Sequence, residues 1–186
     1  MSTNELISEL GCRYSKLQEL LVAKKWREAD IETYKVMLSL TYPKIVNRQN
    51  PGYNVGITFK DVILNRVPCE DIYIIDRLWV IHSEERFGFS TQKRIWDINK
   101  KNWNNFSSCV GWRASGKWLT SYSDFTFELW AREGQLPVRC HMWYFLGLFF
   151  PGACVIHTLT SRLIECSNNQ NNLIITAFND EKLGLV

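Results

Sequence analysis

The side chains best suited to covalent, metal or acid–base chemistry in this chain are three histidines, His82, His141 and His157, and six cysteines, at 12, 69, 109, 140, 154 and 166. Nucleophilic catalysis needs a thiol or hydroxyl within reach of a base that a third group orients. Cys140 and His141 are neighbours in sequence, and neighbouring side chains rarely point at one another. A cysteine among apolar residues is more often a small core residue. Cys154 and His157, three apart, can share one helix face, and His157 or His141 would suit an axial haem ligand. Two residues do not make a site, and such a histidine is more often hydrogen-bonded in a core. The carboxylate pairs Glu70–Asp71 and Glu84–Glu85 fit a helix start and a solvated loop better than acid–base work. Neither a P-loop nor a dinucleotide-binding glycine pattern occurs.

What remains is an excess of large apolar groups between Trp112 and Trp143, namely Trp112, Trp118, Leu119, Phe125, Phe127, Trp130, Leu136 and Trp143. Isolated arginines, Arg113, Arg132 and Arg139, are set among them. A flat hydrophobic ligand carrying carboxylates needs such a surface, with aromatics for area and guanidinium groups for bidentate pairing at the rim. The same aromatics also read as ordinary core, and on residue types alone that reading is favoured. Unaided, the residues reach a helical binding or adaptor protein and no further.

Helices must position these groups. Apolar residues at Tyr14, Leu17, Leu20 and Leu21, then at Ala29, Thr33, Val36, Met37 and Leu40, recur at three- and four-residue steps and predict a helical hairpin broken near Ala23 to Trp26. Thr41-Tyr42-Pro43 ends the second helix, because proline lacks the amide hydrogen and restrains the residue before it. Thr58 with Asp61 has the form of a capping box for a short helix through Phe59, Val62 and Ile63. Pro68, Glu70 and Asp71 favour a helix start, with Ile72, Ile75 and Trp79 as its buried stripe. Ser90 is the expected N-cap of a helix carrying Ile95 and Ile98. From Trp103 to Pro137 the periodicity fades, which predicts long loops. Met142 to Ile156 is uncharged but too short for a standard membrane span and is interrupted at Pro151-Gly152, so it reads as a buried final helix or a membrane-touching surface.

The chain has 186 residues, 46% hydrophobic and 22% charged, which is the size and make-up of one globular domain. Its 22 basic and 19 acidic residues leave a net charge of +3, and the basic ones fall in short pairs rather than the run of a nucleic-acid arm. With neither Cys-x-x-Cys nor zinc-ligand spacing, and no signal or transit peptide, the cysteines are expected to be reduced thiols. No heptad run argues against a monomer.

The motifs carry more. Tyr14-x-x-Leu17-x-x-Leu20-Leu21 and Trp26-Arg27-Glu28-Ala29-Asp30-x-x-Thr33 are followed in order by Pro68-Cys69-Glu70-Asp71, Ile75-Asp76-Arg77-Leu78-Trp79 and Phe87-Gly88-Phe89-Ser90-x-Gln92. Val110-Gly111-Trp112-Arg113, Asp124-Phe125-Thr126-Phe127 and Gly134-x-Leu136-Pro137 complete the series. Over roughly residues 12 to 166 the chain resembles the genomes-uncoupled porphyrin-binding proteins, which assist magnesium chelatase in chlorophyll synthesis.

That resemblance implies an all-α fold: a compact helical core shaped like a cupped hand, with long aromatic-rich loops and no sizeable sheet. It implies a lead-in over 1–11, a core domain over 12–166 and a tail over 167–186, without the extra N-terminal bundle of cyanobacterial members. It implies no catalysis, no catalytic cofactor and no bound metal. The implied ligand is protoporphyrin IX or magnesium protoporphyrin IX, and the partner is the large porphyrin-binding subunit of magnesium chelatase. The implied place is the plastid stroma with peripheral membrane contact, or the cytoplasm of a cyanobacterium. Nucleic acid is not an expected partner. The implied porphyrin surface uses Phe59, Val62, Ile63, Trp118, Leu119, Leu136 and Trp143, with Arg113, Arg132 or Arg139 on the propionates. Two departures stand out: Gln135 occupies the family's usual histidine position, and Ala131-Arg132-Glu133 lacks a common proline, a change expected to loosen that loop.

Overall fold

Leu17 and Leu21 lie wholly in the interior, one helical turn apart, and Trp26, Ala29 and Met37 continue the same seam after a tight break. The computed structural model describes residues 3–41, 66–145, 148–151 and 153–169. Its first two helices, α1 (Thr3–Val22) and α2 (Trp26–Thr41), form the expected hairpin, and α1 already begins inside the expected lead-in. Lys24 takes a left-handed turn at φ +56°, and the Lys25 amide donates back to the Leu20 carbonyl at 2.9 Å, closing the end of α1. Thr41 ends α2. The helix expected through Phe59, Val62 and Ile63 lies outside the described residues.

Helix α3 (Cys69–His82) starts directly after Pro68 with Glu70 and Asp71 in its first turn. Asp71 is more than a helix-start charge. It is buried, accepts from Arg13 at 3.1 Å and from the Tyr14 hydroxyl, and so ties α1 to α3. The Trp79 ring stacks on Trp26 at 6.1 Å, meets Phe87 edge-on at 6.3 Å, and donates its indole N–H to Thr33 Oγ1 at 2.9 Å. Burial of these rings is worth on the order of 2–3 kcal/mol each by area.

Helix α4 (Phe89–Ile98) departs from expectation at its start. Ser90 is not the cap; Gly88 is, at φ +127°, and the capping carboxylate comes from a different helix, because Asp76 Oδ1 accepts the Ser90 amide at 2.8 Å. A β-carbon at Gly88 would sit 2.9 Å from both Asp76 Oδ1 and Val80 Cγ2, so the close approach of α3 and α4 requires glycine here. The stretch read as long loops opens instead with helix α5 (Trp103–Cys109), capped by Asn102 accepting from the Asn105 amide at 3.0 Å. Seven residues are too few for periodicity to register, whereas the Asn cap is a local signal.

A hairpin follows, β1 (Arg113–Ala114) with β2 (Lys117–Trp118), turning through Ser115 and Gly116, both at positive φ. Single 3₁₀ turns cover Tyr122–Asp124 and Arg139–His141. The uncharged segment from Met142 is neither a buried helix nor a continuous apolar span. It folds as a second antiparallel hairpin, β3 (Met142–Phe145) with β4 (Leu148–Pro151), before helix α6 begins at Ala153 and runs to Asn169. Gly147 and Pro151-Gly152 punctuate the run into pieces too short for a helix. Among the described residues no helix is long and apolar enough to cross a membrane. The fold is thus mostly helical with two small hairpins, as the resemblance implied.

The cysteines correct the expectation of reduced thiols. Cys69 and Cys166 are joined by a disulfide, which fastens the start of α3 to the last helix across 97 residues. Spacing along the chain carries no information about a pair that only tertiary packing brings together. Cys109, exposed, and Cys140, buried, are thiols.

Candidate functional site

Residues 129–141 form a segment seated on α2, α4 and the turn after α3. Arg86 runs beneath it, donating Nε to the Leu129 carbonyl at 2.8 Å and an amino group to the Ala131 carbonyl at 2.7 Å; its own carbonyl accepts from the Gly134 amide at 2.8 Å. The missing proline therefore does not leave this loop loose, since a guanidinium in fork geometry does the holding. Gln92 reaches up from α4 and donates its amide nitrogen to the carbonyls of Gly134 and Pro137 at 3.0 and 2.9 Å.

That orientation leaves Gln92 Oε1 as an acceptor, and His141 Nε2 lies 2.9 Å from it. Nε2 therefore carries the proton, and Nδ1 is a bare lone pair. Burial lowers the imidazole to about 3, so it is neutral. The ring is wholly buried between Phe89 and Trp112. An axial haem ligand needs an approachable nitrogen, and His141 offers none; His157 sits exposed on α6. The Cys140 thiol is buried and held well above its ordinary range by that burial and by the Asp30 charge, which makes it a poor nucleophile. Gln135, expected at the family's histidine position, is also interior. Its amide donates to the Gly111 carbonyl at 3.2 Å and its backbone carbonyl accepts the Trp112 indole N–H at 2.9 Å.

The segment ends on a buried carboxylate. Asp30, fully buried in α2, accepts from the Tyr122 hydroxyl at 2.6 Å and from the backbone amides of Val138 and Arg139 at 2.7 and 3.1 Å. Burial pushes its carboxyl up to about 6, and these donors oppose the rise. Arg139 is fixed by its backbone on this anchor, and its guanidinium lies 5.0 Å from the Tyr122 ring centre and 5.6 Å from that of Tyr34. Arg27, exposed on α2, stands 5.4 Å from the Tyr122 ring and 5.5 Å from Phe127. Two guanidinium groups and three aromatic rings thus gather around one buried acid.

The other residues expected at a ligand surface fall elsewhere. Arg113 lays its guanidinium 5.0 Å from the Trp118 ring and donates to Asn104 Oδ1 and the Gly116 carbonyl at 3.0 and 2.7 Å, so the hairpin already occupies much of its donor capacity. Trp118 stacks on Trp103 at 5.4 Å, and Leu119 beside it is half-buried. Leu136 has no exposed surface; it belongs to the core and presents nothing to a ligand in this conformation. Arg132 is exposed next to Trp130, whose side chain is 76% accessible. Trp143 faces Phe150 in the β3–β4 register, its side chain outside the described residues, as are Phe59, Val62 and Ile63. The structure thus unites Arg113 with Trp118, and it surrounds Arg139 with Tyr34, Tyr122, Asp30 and Arg27, none of which was singled out as a site residue. The signal was present in the order Trp26-Arg27-Glu28-Ala29-Asp30, where an aspartate among apolar helix positions marks a buried acceptor.

Fold and surface define a mostly helical domain whose distinctive chemistry is guanidinium on aromatic ring, and among the described residues no group of metal ligands occurs. Residues 7–146 match the family described as GUN4-like. The chain is 32% identical over 133 residues to the Ycf53-like protein of Synechocystis, covering 72% of this chain and 54% of that one. It is 31% identical over 136 residues to the ycf53 protein of Cyanidium caldarium, covering 73% of this chain and 54% of the relative. It is 34% identical over 104 residues to the chloroplastic tetrapyrrole-binding protein of Arabidopsis thaliana, covering 56% of this chain and 36% of the relative. The chain spans about half the length of the first two and less of the third. The fold is shared with GUN4 of Chlamydomonas reinhardtii, at TM-score 0.59 and 24% identity over 81% of this chain and 89% of that one. It is also shared with ligand-free GUN4 of Arabidopsis, at TM-score 0.60 and 24% identity over 81% and 94%. The chain belongs to the GUN4-like family.

Proposed function

We propose that this chain binds protoporphyrin IX and magnesium protoporphyrin IX without transforming them, and presents the pigment to the large subunit of magnesium chelatase in a plastid. The observation that carries the reading is Arg139, a cation whose backbone is clamped by Asp30 and whose side chain lies against aromatic rings. A porphyrin has two apolar faces and a pair of propionates. Aromatic side chains cover the faces, and a guanidinium held at their edge pairs with a carboxylate in two parallel hydrogen bonds. Burying a few hundred Å² of macrocycle is worth several kcal/mol, at about 25 cal/mol per Å² before association costs. Arg139, with Arg27 as its neighbour on Tyr122, meets one propionate, while Arg113 on Trp118 and the exposed Arg132 are the alternatives for the other. Family membership and the name of the Arabidopsis relative support the choice of ligand.

The test is a titration of tryptophan fluorescence with a magnesium porphyrin carrying propionates, with haem as comparator. Saturable quenching that favours the magnesium porphyrin is expected, and Arg139→Ala weakens it while Lys101→Ala, on an exposed turn, does not. Absence of saturable quenching by either pigment rejects the reading. A helical adaptor without pigment is the second reading, favoured by one observation: Trp130 stands exposed on a segment that Arg86 holds rigid, as a protein-docking anchor would. It predicts that Trp130→Ala abolishes partner binding and that no porphyrin changes the emission.

A further inference from the structure

The Cys69–Cys166 bond lies where a permanent staple would be poorly protected and an exchangeable one well served. Cys69 is half-exposed, whereas Cys166 is buried. A cleft of about 250 Å³, whose lining includes Cys69, Cys166, Ile72, Leu163, Asp76 and Lys93, opens beside the bond. Cys69 is the first residue of a 14-residue helix, so its sulfur sits at the positive end of α3. Arg162, on α6, places an amino group 3.7 Å from Cys69 Sγ while also holding the Val67 carbonyl at 2.9 Å. Its other amino group is paired with Glu165 at 2.7 Å, which fixes the guanidinium with one edge turned to the Cys69 sulfur. The same molecule keeps Cys109 as an exposed thiol. A disulfide beside thiols, in a chain without other pairs among the described residues, is more characteristic of redox control than of an oxidising compartment.

We propose that Cys69–Cys166 is a thiol–disulfide exchange site for a protein dithiol, and that its state sets how firmly the second half of α6 is held. This stands apart from porphyrin binding. The reductant's thiolate attacks Cys69 Sγ, the accessible sulfur, which the helix terminus and Arg162 make attractive to an anion. The Cys69–Cys166 bond breaks, and its electron pair leaves on Cys166, which takes a proton. The reductant's second thiol, as thiolate, then attacks its own sulfur in the mixed disulfide. Cys69 departs as a thiolate stabilised by α3 and Arg162, the reductant becomes a disulfide, and two electrons have passed to the cysteine pair. Helix α6 is held at its beginning by Ile156 and Leu159, both without exposed surface, whereas beyond Thr160 its fastenings among the described residues include the half-buried Leu163, Arg162 and the cross-link. Reduction therefore loosens residues 161–169 and spares 153–160.

The experiment treats the oxidised full chain, under native conditions, with a reduced thioredoxin-class protein, follows alkylation of Cys69 and Cys166 by mass spectrometry, and measures amide exchange along α6. Both cysteines are expected to become alkylated, and exchange over 161–169 to rise at least ~10-fold while that over 153–160 is unchanged. Cys166→Ser reproduces the rise without reductant, and Cys109→Ser does not. Arg162→Gln slows reduction by roughly tenfold and flattens the pH dependence of Cys69 alkylation, and Arg162→Lys restores both, which a merely structural arginine would not do. A bond that survives the dithiol until denaturant is added overturns the proposal, as does reduction that leaves exchange in 161–169 unchanged.

Discussion

Arg139 and Arg113 each lay a guanidinium 5.0 Å from an aromatic ring centre, Tyr122 for one and Trp118 for the other, yet the ground beneath them differs. Under Arg139 is a buried acid that accepts from two backbone amides and the Tyr122 hydroxyl, fixing loop, ring and helix α2 to one point. Under Arg113 is a six-residue hairpin whose turn is exposed, and the arginine spends its donors on Gly116 in that hairpin and on Asn104 in the adjoining α5. A cation anchored through its backbone as well as its charge keeps its place when a ligand competes for its guanidinium. A cation whose side chain is the local fastening must give up those bonds to meet one. The first arrangement is suited to recognition and the second to holding a tryptophan in place.

The strongest way to break the contrast is Asp30→Ala. It strands the Val138 and Arg139 amides and the Tyr122 hydroxyl in the interior, and a loss of about 3–5 kcal/mol in unfolding free energy is expected from urea melts. A loss under 1 kcal/mol would mean that the anchor is not the hub described. The same residue predicts a pH effect of next magnitude. Its carboxyl is raised from 3.8 to about 6 in the folded chain, so the folded state binds the proton more tightly than the unfolded one. The stabilisation linked to that proton is complete below about pH 4 and is lost as pH rises through about 6, amounting to about 3 kcal/mol. Asp30→Asn cannot titrate. The stability gap between the two proteins should widen as pH falls from 7 to 4, and a constant gap refutes the assignment. Asp76, also raised by burial, acts in the same direction in both proteins and cancels from the difference.

Much of this architecture was legible in the sequence, for a physical reason. The α1–α2 hairpin and the stripe Ile72, Ile75, Trp79 announce themselves because helical burial repeats at fixed steps over many residues. What escaped depends on a second element arriving. Asp76 reads as one more charge on a helix until α4 docks against it, whereupon its carboxylate rather than Ser90 caps that helix. The Cys69–Cys166 bond needs α6 to cross the start of α3. The hairpin from Met142 to Pro151 is hidden because a continuous apolar run has no period to read. At the candidate site, Arg139 was legible as a basic residue after the Gly134-Gln135-Leu136-Pro137 motif. Its partners Tyr34 and Tyr122 were not, being remote in sequence and brought beside it by tertiary packing. Leu136 was expected at the ligand with its motif, whereas it has no exposed surface and packs in the core.

The contrast between the arginines sharpens most in affinity. Arg139→Ala should raise the dissociation constant for magnesium porphyrin about tenfold to a hundredfold, near 1.4–2.7 kcal/mol, with a smaller change in melting than Asp30→Ala, because the backbone bonds to Asp30 are kept while the charge beside it is lost. Arg113→Ala should do the reverse. Removing the charge from the Trp118 face costs roughly 0.5–1 kcal/mol of stability and less than threefold in affinity, since that guanidinium is committed to the hairpin. The pair must be measured together by quenching titration and urea melts. If Arg113→Ala weakens binding as much as Arg139→Ala, both cations meet the ligand, and the distinction between a backbone-anchored and a side-chain-committed arginine fails at this surface. If only Arg139→Ala does, the buried acid in α2 is what prepares the site, because it fixes the backbone from which that guanidinium reaches the aromatic rings.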